Sequence, residues 1–173
     1  MQFLILGLLL HGPLSGYGLR KQFTAGISLF YSASLGGIQR SLALLDARGW
    51  VARQASADSG RSRYLYSITD SGREAWRDWM LSPITESNAE QTALAKVYLL
   101  DSLPTEDRGD CIDLLCRRAA SDLNRLARLR AEIDVAHAPK QLEEAARFRL
   151  ATLDYGIRAH ELMVRWLGEL EAA

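Results

Sequence analysis

A single change of period limits what this chain can fold into. Up to Arg48, and again beyond Thr69, apolar residues recur at helical spacing, but between Gly49 and Thr69 the chain reads as strand, turn and strand. Trp50-Val51-Ala52-Arg53 leads into a polar, glycine-containing stretch from Gln54 to Ser62. Arg63-Tyr64-Leu65-Tyr66-Ser67-Ile68 then returns in residue types suited to a pleated surface. The pattern predicts one β-hairpin with a mobile tip, set into an otherwise helical chain.

The helices have legible starts and stops. Residues 3–10 are an apolar run read as a short buried helix, halted at His11-Gly12-Pro13. Ser15 is placed to cap a second helix ending near Thr24, and Gly26 to Ser32 reads as loop or a short extended piece. Ser34 caps a third helix from Leu35 to about Arg48, where Ile38, Leu42 and Leu45 share one face and Gly49 marks the stop. Thr69 caps a fourth helix to about Leu81, with Asp70 and Glu74 where the helix dipole favours acids, and Ser82-Pro83 closes the segment.

Beyond Pro83 the signals are all helical. Ser87-Asn88-Ala89-Glu90 reads as a capping box for a helix through Tyr98 to Leu103. Thr105 caps a long helix to about Asp134, striped by Ile112, Leu115, Cys116, Ala119, Leu123, Leu126 and Ile133. The last helix, from about Lys140 to Leu170, carries apolar residues on two faces. Ala146, Leu150, Leu153, Ile157, Val164 and Leu167 lie on one, and Phe148, Ala151, Tyr155, Ala159, Leu162 and Trp166 on the other. Two apolar faces need two neighbours, and so few helices in this half imply that the second neighbour is another copy of the chain.

At 173 residues the chain can bury one good core or two small ones. Its formal net charge of zero by itself speaks against nucleic acid, but the total hides a split. Residues 1–82 carry nine Arg and Lys against five acids, a net of +4, whereas the remainder carries twelve bases and sixteen acids, a net of −4. No positive residue precedes Phe3–Leu10 to make it a signal peptide, and no run reaches the roughly 18 apolar residues that span a bilayer. Cys111 and Cys116 make neither a metal pattern nor a disulfide framework, so a reducing cytoplasm is expected, with no cofactor or metal. Cys116 reads as packing and Cys111 as a redox candidate. His11, His137 and His160 lie far apart, and no nucleophile-elbow, metal or phosphate-loop pattern occurs, so an enzyme is not expected.

The order helix, helix, helix, hairpin, helix is that of a winged helix-turn-helix, in which the third helix enters the major groove. Leu6-Gly7-Leu8-Leu9 followed by Gly12-Pro13-Leu14-Ser15-Gly16-Tyr17-Gly18-Leu19 resembles the opening of PadR regulators. Gly36-Gly37-Ile38 with Leu42, Leu45 and Gly49 is similar to that family's recognition helix, and Arg63-Tyr64-Leu65-Tyr66 with Ile68-Thr69-Asp70-Ser71-Gly72-Arg73 to its wing strand and following helix. The second half resembles the longer PadR subgroup in layout. Where the family often has Tyr-Pro after the Ile, this chain has Gln39-Arg40, so the usual DNA target is not carried over.

The resemblance implies a mostly α protein, with a winged helix at 1–82 and a helical dimerisation and effector domain at 83–173. It further implies a sequence-specific regulator, more often a repressor, that binds a palindromic operator in duplex DNA as a homodimer and responds to a small molecule. Gln39 and Arg40 are placed to bond adenine and guanine edges. Ser34, Gly36 and Gly37 would let backbone approach a phosphate at the helix N-terminus. Arg61, Arg63 and Tyr17 are candidate phosphate or groove contacts, against the plainer readings of solvated loop and packing. Phe148, Tyr155, Leu162 and Trp166 are candidates for the dimer seam and for an aromatic or hydrophobic effector. The competing classes are a winged-helix module that binds protein rather than DNA, and a helical small-molecule binder.

Overall fold

The computed structural model describes residues 1–55, 64–135 and 143–171. They form two compact units, Met1–Cys111 and Ile112–Ala173.

The first unit is built around α1 (Gln2–Leu9), in which every residue from Leu4 to Leu9 is buried. A helix enclosed on all sides needs no polar face, which is why the sequence shows a run rather than a stripe. Around it lie β1 (Leu14–Ser15), α2 (Gly16–Ala25), α3 (Leu35–Ala47), β2 (Val51–Ala55), β3 (Tyr64–Ile68) and α4 (Asp70–Met80). The side chains of Ser15, Ser34 and Thr69 cap their helices as expected, accepting from the amides of Gly18 at 3.0 Å, Gly37 at 3.1 Å and Gly72 at 3.1 Å. On α3 the buried residues include Ile38, Leu42 and Leu45, the stripe read from spacing. The stretch after α2 is helical rather than extended, a 3-10 turn over Ile27–Leu29 that buries Ile27 completely.

The hairpin is larger than its sequence signal. It belongs to a three-stranded antiparallel sheet in the order β1-β3-β2, because Leu14 and Ser15 pair with Tyr66 and Leu65. Two residues beside a Gly-Pro turn are too few to show alternation, so this strand left no pattern to read. The partner strands pair from Val51 opposite Ile68 to Ala55 opposite Tyr64, carrying β2 into the polar stretch expected to be loop. The tip, 56–63, lies outside the described residues, and Arg61 and Arg63 with it.

The Thr-Asp-Ser-Gly run is a latch. Gly49 closes α3 with φ of 70°, a left-handed geometry that costs a side chain about 1–2 kcal/mol. Its carbonyl then accepts from the Thr69 hydroxyl at 2.7 Å and from Ser71 at 3.1 Å, while the Thr69 amide donates to the Trp50 carbonyl at 3.1 Å. These bonds draw the first turn of α4 so close that a Cβ on Gly72 would overlap the Trp50 carbonyl oxygen. Backbone cannot rotate away. Gly72→Ala is therefore expected to destabilise the protein by about 3 kcal/mol in urea unfolding. An undiminished midpoint would show that the contact is looser than described.

The first unit continues beyond Pro83. α5 (Ala89–Tyr98), the segment after it and the start of α6 (Thr105–Val135) contribute Ala95, Leu99, Leu103 and Cys111 to the same core as α1. The expected capping box does not form, since α5 begins at Ala89 and its N-cap Asn88 makes no capping bond through its side chain. Asn88 instead donates to Gln91 Oε1 at 3.1 Å, and Gln91 donates to the Phe30 carbonyl at 3.0 Å, tying α5 to the chain ahead of α3. A 3-10 turn over Leu100–Ser102 follows α5.

The second unit comprises α6 from Ile112 onward and α7 (Glu143–Glu171). Arg130 of α6 donates to Asp154 of α7 at 3.0 Å, and Leu126 of α6 packs over Gly156 of α7. The two faces of α7 have different fates. Leu153 and Leu167 are buried, whereas Phe148, Tyr155 and Leu162 are 61%, 75% and 59% exposed. Among the described residues no helix is long and apolar enough to cross a membrane.

Candidate nucleic-acid interface

The polar face of α3 is the site's centre. Gln39 and Arg40 are both exposed, while Gly37, Ile38, Ser41, Leu42 and Leu45 hold the opposite side in the core. The helix is thus fixed by burial and free where its Gln and Arg project. Ala43, one turn beyond Gln39, and Ala47, beyond that, are exposed on the same side. Sequence reading missed these two, although their i+4 and i+8 spacing from Gln39 was the available signal. Small residues there leave room for a base edge to approach, and a methyl group suits the thymine C5-methyl.

The N-terminal turn of α3 is partly committed to its own fold. Ser34 Oγ takes the Gly37 amide, and Gly37 is buried, where a Cβ would lie 3.2 Å from Met1 Cε. Gly36 is half-buried and Ser34 exposed, and the amides of Leu35 and Gly36 stand in the first turn, where a helix has no acceptor of its own.

Tyr17, the second residue of α2, is 61% exposed and so does not pack beneath α3. Arg20 and Lys21, farther along α2, are also exposed. In sequence they register only as charge, yet α2 is the helix that crosses the DNA backbone in a winged helix. Beside β2, Arg48 lies 4.9 Å over the Trp50 ring and donates to Gln2 Oε1 at 3.0 Å, and Arg53 lies 5.3 Å over the Tyr64 ring.

The remaining candidates divide. Phe148, Tyr155 and Leu162 form an exposed strip on α7 with Trp166 half-buried beside them, so a second surface would have to cover them before they could wall a ligand. On α6 a groove of about 610 Å³ is lined by Ser121, Arg125, Leu126, Arg128, Leu129 and Glu132. Cys111 is fully buried, and burial pushes its thiol pKa up, which withholds the thiolate that redox sensing needs and removes it as a sensor. Cys116 is half-buried, with its thiol likewise raised, first by burial and then by the acids Glu171 and Asp113. His11 shares a hydrogen bond with Ser102 at 3.0 Å, and His160 Nδ1 lies 2.8 Å from the Gly156 carbonyl, so both serve local structure. Among the described residues no cluster of metal-ligating side chains occurs.

Residues 5–78 match the profile described as "Transcriptional regulator PadR-like family", and residues 91–173 match "Virulence activator alpha C-term". The negative transcriptional regulator PadR of Bacillus subtilis is 31% identical over 129 residues, covering 71% of this chain and 70% of that protein. A probable transcriptional regulator of Mycobacterium tuberculosis, Rv1176c, is 28% identical over 168 residues, covering 92% and 89%. The crystal structure of Bacillus subtilis PadR in complex with operator DNA matches with a TM-score of 0.46 and 24% identity, over 99% of this chain and 96% of that one. With the N-terminal profile and a relative at this identity agreeing, the chain belongs to the PadR-like family of transcriptional regulators.

Proposed function

We infer that this regulator is a two-fold dimeric repressor that reads duplex operator DNA with the exposed face of α3. The observation that carries the reading is the pairing of Gln39 and Arg40 on a helix whose other side is locked in the core. Base readout needs rigid placement of a few donors, and bidentate bonds from Gln to adenine and Arg to guanine discriminate against the wrong base. Tyr17, Ser34, Gly36, Arg20 and Lys21 are then available to phosphates, with Arg61 and Arg63 joining them from the wing segment, and the local charge of +4 supplies the attraction. Repression is supported by the Bacillus relative, a negative transcriptional regulator.

In this reading residues 1–82 bind DNA and residues 83–173 dimerise, with 89–111 packed onto the first core. The exposed strip of Phe148, Tyr155 and Leu162, with Trp166 beside it, faces a second copy, and a small aromatic or hydrophobic effector enters at that seam. The cytoplasm is its compartment. Selection from a random duplex library is expected to enrich a palindrome with half-sites about one helical turn apart. Arg40→Ala is expected to weaken the selected site by about 1–3 kcal/mol in gel-shift titration and to relax preference at one position per half-site. A library with no enriched site would sink this reading in favour of a protein-binding winged helix.

A further inference from the structure

Asp46 is out of place twice. It stands in the last turn of α3, where the helix dipole disfavours an acid, and it puts a negative charge on the helix that would meet phosphate. Its partner is Arg53 of β2, whose Nε lies 3.4 Å from Asp46 Oδ2. The same guanidinium lies 5.3 Å over the ring of Tyr64, the β3 residue opposite Ala55 in the last described pair before the hairpin tip. Alternation puts Arg53, Ala55, Tyr64 and Tyr66 on one face of the hairpin, since Arg53 stands opposite Tyr66. One cation therefore connects the C-terminal end of α3 to both strands at the base of the wing.

We propose that Asp46, Arg53 and Tyr64 form a brace that sets the wing against the recognition helix, so that Arg53 is a positioning residue for operator binding and not a phosphate contact. β1 pairs only as far as Leu65, so beyond it the hairpin is a two-stranded ribbon, which twists readily and without a side-chain tie to α3 would sample several angles. The brace reduces that freedom before DNA arrives, which favours specific complexes over non-specific ones because only the former need helix and wing engaged in one register. It rests on the DNA-binding reading above.

The test uses the full-length protein with Asp46→Asn, Arg53→Gln and the double variant. If the brace operates, Asp46→Asn weakens binding to the selected operator by about three- to tenfold. Loss of a negative charge alone would strengthen it, so the sign is diagnostic. Arg53→Gln gives a similar loss with no change in the slope of log affinity against log salt, and the double variant is no worse than either single one. Asp46→Glu restores binding. A slope lower by about one for Arg53→Gln would make Arg53 a phosphate contact and overturn the proposal, as would tighter binding by Asp46→Asn or additive losses. Hydrogen exchange of the Gln54 amide, which the ladder turns toward β3, separates the two readings in the free protein. The brace predicts severalfold faster exchange in Asp46→Asn even if no operator is ever found, and unchanged exchange counts against it.

Discussion

Tyr155→Asp should convert the proposed dimer into a folded monomer and weaken operator binding by about 10²–10⁴-fold, because half-sites joined through one protein gain that much from effective concentration. Tyr155 is 75% exposed in the single chain, so the change removes little packing within it. Phe148, Tyr155 and Leu162 recur at seven-residue intervals and therefore share one face of α7, as residues at the seam of paired helices do. Three large apolar side chains, each more than half exposed, make a patch that water disfavours, and across a two-fold axis an aspartate would meet its own copy. Sedimentation equilibrium reads the mass, circular dichroism the fold, and gel shifts the affinity. A variant that stays dimeric would place the interface elsewhere.

How much of this was legible in sequence depended on the range of the interaction. Caps at Ser15, Ser34 and Thr69 satisfy amides three residues away, so they announce themselves locally and the structure has them as read. The stripe of Ile38, Leu42 and Leu45 likewise fixes which side of α3 faces the core. Failures came where a distant partner decided the outcome. Leu14 and Ser15 become a strand only because Tyr66 and Leu65 lie alongside, and Gln91 bonds the Phe30 carbonyl across 61 positions where a local capping box had been expected. The proposed reading face of α3 was half legible: Gln39 and Arg40 stand out by type, whereas Ala43 joins them only through position. Gly37 is ambiguous in sequence because a glycine at a helix start suits a phosphate and a tight packing contact equally, and the contact with Met1 is visible only in the fold.

The least legible residue has one of the largest expected effects. A lysine on a helix is ordinarily solvated, but Lys96 is 1% exposed, and its Nζ donates to the carbonyls of Met80 at 3.2 Å and Ser82 at 2.6 Å. Those carbonyls stand at the C-terminal end of α4, where a cation complements the helix dipole, and the ammonium also lies 5.3 Å from the Trp79 ring. Lys96 thus ties α5 to the helix that follows the wing. Lys96→Ala is expected to cost about 3–5 kcal/mol, since it opens a cavity and strips two carbonyls of their donor. Lys96→Met refills the space without a donor and should still cost about 1–3 kcal/mol. Burial lowers the Lys96 pKa, partly offset by Cys111 and Glu86, so between that lowered value and the ordinary lysine value the unfolded chain holds more protons than the folded one. Stability must therefore rise with pH through that window, and the advantage of the wild-type chain over Lys96→Met must widen as the lysine sheds its proton. Urea unfolding of both proteins across the window measures this. A methionine variant as stable as the parent at neutral pH would mean that Lys96 does not hold the end of α4, whereas a gap that narrows as pH rises would mean that the carbonyls favour the ammonium by more than burial disfavours it.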